Sequence, residues 1–83
     1  MKKILVITKD TVKGEAITEP QTFRNIAEAK RSWAIALKKV DMENPENIPL
    51  RDYQLWALGE IDTESLKIEA KEEFIANAAE FLN

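Results

Sequence analysis

The chain has 83 residues, 12 Lys plus Arg against 15 Asp plus Glu, a formal net charge of −3, 45 % hydrophobic residues, and neither His nor Cys. That length allows one domain, residues 1–83, which buries only roughly 60–65 % of its unfolded surface, and the apolar fraction is that of a folded protein. A disulfide framework, a thiolate zinc site, a catalytic triad and an imidazole general base are all excluded.

Met1-Lys2-Lys3 opens like a signal peptide, but the apolar run behind it is only Ile4-Leu5-Val6-Ile7. A secretory core needs about 7–15 apolar residues and a membrane span about 18, so a soluble cytoplasmic protein with no membrane partner is expected. Lys3 to Lys9 reads as a strand that is apolar on both faces, with Leu5 and Ile7 on one side and Ile4 and Val6 on the other. Thr11-Val12-Lys13-Gly14 reads as a turn, and Glu15 to Thr18 as a short return strand that stops before Pro20.

Asn25 is a good helix N-cap, and Glu28 stands three residues later, as in a capping box. From Ile26 to Val40 the residues Ile26, Ala29, Trp33, Ala36, Leu37 and Val40 recur at helical spacing. Ile35 falls among the charges of the opposite face. Asp41 to Leu50, with Pro45 and Pro49, reads as a loop.

Tyr53 to Ile61 alternates again: Tyr53, Leu55, Ala57 and Ile61 on one face, Trp56 and Leu58 on the other. Asp62 to Ser65 reads as a hairpin connection and Leu66 to Glu69 as its partner strand. Ala70 to Leu82 reads as a second helix, since Phe74, Ala78 and Phe81 recur at +4 and +3 with Ile75 and Leu82 beside them. The expected fold is therefore α+β, in the order ββαββα: a four-stranded, mainly antiparallel sheet with two helices on one face.

Two helices cover one side of such a sheet, while its strands are apolar on both. The uncovered side is an apolar patch, and a homodimer packed through the open sheet faces is the simplest way to bury it. The other way is for the 41–52 loop to fold over that face.

Charge is unevenly placed. Residues 1–40 hold nine Lys or Arg against four Asp or Glu, and residues 41–83 hold three against eleven. The basic first half is either a side that meets a polyanion or a surface that attracts the acidic second half. Lys2, Lys3 and Lys9 flank the first hairpin, while Arg31, Lys38 and Lys39 lie on the helix. Trp56 on its strand is either core, dimer interface or a stacking platform for single-stranded bases. These seven residues form the candidate nucleic-acid site. The acidic total argues against it, because polyanion affinity comes largely from phosphate neutralisation.

No catalytic motif is present. With only Gly14 and Gly59, neither a P-loop nor a dinucleotide fingerprint can be built. Glu60 and Asp62 share a strand face as an acid–base pair would, but they also suit a solvated strand end. Asp41-Met42-Glu43-Asn44 lacks the glycine and the later Glu of a calcium loop. The residues point to no enzyme, no metal and no cofactor.

Pro49, Asp52-Tyr53, Leu55, Leu58-Gly59, Glu60, Ile61 and Asp62 form a pattern of proline, Asp-Tyr, alternating strand, Leu-Gly and an acidic hairpin entry. Around it stand a short apolar opening strand, Pro20 with Phe23, and an alanine-rich helix. In this the chain resembles the small nonstructural protein of gokushovirus-type microviruses, phages with single-stranded DNA genomes. The resemblance implies a phage-encoded protein of the host-cell cytoplasm, DNA-binding, with a part in genome replication or in passing single-stranded DNA toward packaging. It brings no functional residues with it. The alternative is an interaction module independent of nucleic acid, a homodimer that binds a host or phage protein.

Overall fold

A computed structural model describes residues 1–44 and 47–82; Pro45, within the expected loop, lies outside them. The strands are β1 (Lys2–Asp10), β2 (Glu15–Ala16), β3 (Gln21–Phe23), β4 (Tyr53–Asp62) and β5 (Ile68–Asn77), and the helix is α1 (Ile26–Met42). All strand pairs are antiparallel. The sheet runs β2-β1-β4-β5, with β3 also paired to β1 along the same edge as β2.

The first half follows the residue pattern closely. Gly14 takes φ +73, which glycine adopts without steric cost, and closes the β1–β2 turn. Asp10 holds that turn as an Asx turn, its carboxylate accepting from the N–H groups of Val12 and Lys13 at 2.9 and 3.2 Å. Asn25 caps α1, accepting from the Glu28 N–H at 2.8 Å. The Glu28 carboxylate instead accepts from Arg24 Nε at 3.2 Å. The return strand is shorter than expected, ending at Ala16, and Gln21–Phe23 adds a fifth strand before the helix.

Helix α1 lies across one face of the sheet. Val6 and Leu55 meet Ala29 beneath it, with Ile4, Phe23, Trp33 and Ile75 packed around them. Further along, Leu37, Leu50 and Ala78 form a second cluster with Tyr53, Phe81 and Leu82. Trp33 touches both clusters and joins them. The described part of the segment before β4 thus sends Ile48 and Leu50 to the helix side, and among the described residues the other sheet face is bare.

The second half departs from expectation in one large respect. There is no helix over Ala70–Leu82: β5 continues to Asn77, and only a 3-10 turn, Ala78–Phe81, follows. Among the described residues the architecture is α+β with five strands and one α-helix. A register shift in the β4–β5 pairing explains the departure. Leu55 opposes Ala76 while Trp56 opposes Phe74, so Ile75 is an extra residue on β5. Ile75 and Ala76 consequently both turn to the core, which resembles a helical repeat more than a strand's alternation. The exposed stretch Glu69-Ala-Lys-Glu-Glu also favours helices by composition, yet it pairs with β4.

A second shift is on β4. Val6 opposes Ala57 and Leu5 opposes Gly59, leaving Leu58 as an extra residue. Ile61 then opposes Lys3 and joins the bare face, instead of sharing a side with Leu55 as strict alternation predicts.

Gly59 makes the β4–β5 approach possible. Its φ is +148, and a Cβ there would run into the Glu69 carbonyl oxygen.

Candidate nucleic-acid interface

The even residues of β1 point toward α1, so the odd ones line the bare face. Lys3, Leu5, Ile7 and Lys9 stand there in a row beside Gln54, Trp56, Leu58 and Ile61 of β4. Phe74 of β5 sits opposite Trp56, and the two rings meet edge to face at 5.6 Å and 70°.

The Lys9 ammonium lies 5.6 Å from the centroid of the Trp56 ring. The indole itself is held in place: its Nε1 donates to Gln54 Oε1 at 3.0 Å, and Gln54 Nε2 donates to Asn77 Oδ1 at 2.8 Å. Trp56 is half-buried and Phe74 is 44 % exposed, so an aromatic surface reaches solvent beside a cation.

The seven candidate residues divide. Lys3, Lys9 and Trp56 share the bare sheet face. Arg31, Lys38 and Lys39 are exposed on α1, on the other side of the sheet. Lys2 also belongs to the helix side, where its Nζ lies 3.9 Å from Glu60 Oε2. It borders an open cleft of about 500 Å³ beside the start of α1. There Lys2, Lys3, Arg24 and Lys71 are interspersed with Glu60, Glu69 and Glu73, so the cations outnumber the carboxylates by only one and a phosphate gains little net attraction. One single strand lying flat cannot touch both the sheet group and the helix group.

Residue reasoning missed Phe74 as part of this surface. Its +4 spacing to Ala78 suggested a helix, and only the Ile75 bulge shows that it sits across from Trp56. Gln54, which orients the indole, carried no signal in the sequence.

Asp62 has structural partners of its own. Asp62 accepts from the N–H groups of Glu64 and Ser65 at 2.9 and 3.4 Å in the β4–β5 turn. These bonds, with the N-terminal ammonium and Lys2 nearby, hold its carboxyl below the ordinary value. Tyr53 moves the other way: burial, then the charges of Asp10 and Asp52, push its hydroxyl up. Among the described residues no cluster of three potential metal ligands occurs, and no helix is long and apolar enough to cross a membrane.

These features define a small two-layer α+β protein with one sheet face covered by a helix and the other carrying aromatic rings and lysines. The chain belongs to the Phage ORF5 protein family, which it matches over residues 3–81. It is a phage protein. No curated protein matches it. No solved structure matches it either.

Proposed function

We propose that this phage protein is the small nonstructural protein of a gokushovirus-type microvirus. On this reading it acts in the host-cell cytoplasm and binds single-stranded DNA during genome replication or packaging. The observation that carries the reading is the Lys9–Trp56–Phe74 arrangement on the uncovered sheet face. Bases stack on such rings whatever their sequence, and the neighbouring ammonium groups of Lys9 and Lys3 take the phosphates. The motif from Pro49 to Asp62 supports the microvirus origin, and β4, which carries Trp56, is built from it.

The protein works as a binding module and not as an enzyme. Its acid–base repertoire is carboxylate, lysine and one tyrosine, and the tyrosine is shifted away from neutrality. No cofactor is needed for base stacking.

A gel shift with single- and double-stranded oligonucleotides across a salt series tests the reading. Single-strand binding that weakens steeply with salt and falls on Trp56→Ala upholds it. Equal affinity for the duplex, or indifference to Trp56→Ala, overturns it.

The second reading, a nucleic-acid-independent homodimer that binds a host or phage protein, draws on the outer side of α1. Ile35 is 61 % exposed there among charged neighbours, with Val40 and Met42 also open to solvent. Partners retained from infected cells after nuclease treatment, and lost with Ile35→Glu, would favour it.

A further inference from the structure

β5 ends the sheet with a ten-residue strand whose outer edge faces solvent. The direction of its backbone groups is set on the β4 side. The Lys67 carbonyl accepts from the Asp62 N–H at 2.9 Å, and the Glu69 carbonyl lies against Gly59. N–H and C=O groups alternate in direction along an antiparallel strand, so Ile68 and Ala70 turn theirs outward, and Glu72 is next in that series. An outward row of this kind is a template for another strand.

We propose that a second copy of this chain docks antiparallel along β5, with the two-fold axis passing at Ala70. Outward residues must oppose outward residues, so the axis falls on a residue and few registers exist. An axis at Lys71 sets Lys71 against itself and Glu69 against Glu73. An axis at Glu72 opposes Lys71 to Glu73 but sets the Glu72 carboxylate against itself. An axis at Ala70 instead opposes Glu69 of each copy to Lys71 of the other, and Ile68 to Glu72, with two small methyl groups at the centre. Directly opposed charges of unlike sign stabilise a strand pair, and like charges destabilise it. Glu69 and Lys71 form no ion pair within the chain among the described residues, which leaves both available across the axis.

Pairing by edges joins two five-stranded sheets into one and leaves the Trp56 face of each copy open. Pairing face to face would cover Trp56 and desolvate Lys3 and Lys9. The edge dimer stands on β5 alone and does not depend on whether DNA is bound.

Sedimentation velocity across a concentration series reads self-association directly. Lys71→Glu sets like charges opposite each other twice and is expected to weaken the dimer at least about tenfold. The exchange Glu69→Lys with Lys71→Glu restores unlike pairs and is expected to recover it, which separates the charge effect from misfolding. Ala70→Cys, in a chain with no other cysteine, is expected to form an inter-chain disulfide with oxidised glutathione. The Cα atoms of a hydrogen-bonded cross-strand pair lie about 5.5 Å apart, within disulfide range. A chain monomeric at every concentration overturns the proposal. A dimer indifferent to Lys71→Glu and uncrosslinked through Ala70→Cys does so as well.

Discussion

The indole Nε1 of Trp33 donates to Thr8 Oγ1 at 3.0 Å, tying the middle of α1 to the middle of β1. Thr8 is 7 % exposed and also receives a lateral tie, its own N–H donating to Thr18 Oγ1 at 3.1 Å. Thr8→Val keeps the shape and the backbone bond but removes the acceptor for the indole. A buried donor left without a partner costs about 1–3 kcal/mol. Urea unfolding should show a loss of that size for Thr8→Val and a smaller one for Thr8→Ser. A valine variant as stable as wild type would show that the indole N–H reaches water.

Gly59 has no tolerated replacement. Its φ of +148 is a region left to glycine, and the space for a Cβ is taken by the Glu69 carbonyl. Backbone strain alone costs about 1–3 kcal/mol, and the collision adds to it by forcing β4 and β5 apart. Gly59→Ala should therefore lower stability by at least about 2 kcal/mol. Gly14→Ala, with open space around it, should lose less despite its own φ of +73. Equal losses in thermal melts would remove the distinction between strain and collision.

Much of this architecture is legible from residues 1–62. The Asn25 cap, the Trp33 stripe and the two-sided β1 strand each agree with their local pattern, and local and tertiary preferences coincide there. β5 is the exception. Its charges sit on an edge where they deter indiscriminate pairing, and its one bulge breaks the period of two at Ile75. Both devices hide a strand from periodicity. The candidate interface was half legible for the same reason: Trp56 and Lys9 fall in stretches whose local alternation matches the strand, while Phe74 sits next to the bulge.

The two basic groups make opposite forecasts for DNA. If bases stack on the sheet, Trp56→Ala costs about 1–3 kcal/mol, or roughly 5- to 150-fold in affinity. Lys9→Glu then weakens binding and flattens its salt dependence. Lys38→Glu with Lys39→Glu, on the other side of the sheet, leaves affinity within about twofold once the general charge effect is screened by salt. The reverse ranking would move the interface to α1. Fluorescence titration needs the Trp33→Phe background so that the signal comes from Trp56.

Leu66 is placed against its own preference. It adopts φ +63 in the β4–β5 turn, its N–H donating to the Asp62 carbonyl at 2.8 Å, and its side chain is 74 % exposed. A bulky residue in this left-handed region carries strain of about 1 kcal/mol and here gains no burial for it. Leu66→Asn should raise the melting temperature, because asparagine tolerates that conformation. An unchanged or lower melting temperature would mean that Leu66 packs against something in solution, such as a partner.

Asp62 gives the same turn its pH dependence. Its folded carboxyl is held below the ordinary value of 3.8, first by the Glu64 N–H and then by the Ser65 N–H. A depressed carboxyl contributes stability that is complete above the unfolded value and lost as pH falls through the folded one. The charge of Asp62 should therefore support the β4–β5 turn at neutral pH and cease to do so in the acid limb. Asp62→Asn retains an acceptor oxygen for both N–H groups and removes only the charge. Melts of wild type and Asp62→Asn should differ near neutrality and converge as pH falls below the folded value. Curves that stay parallel throughout would assign the turn's stability to its geometry, with no part for the ionised carboxylate.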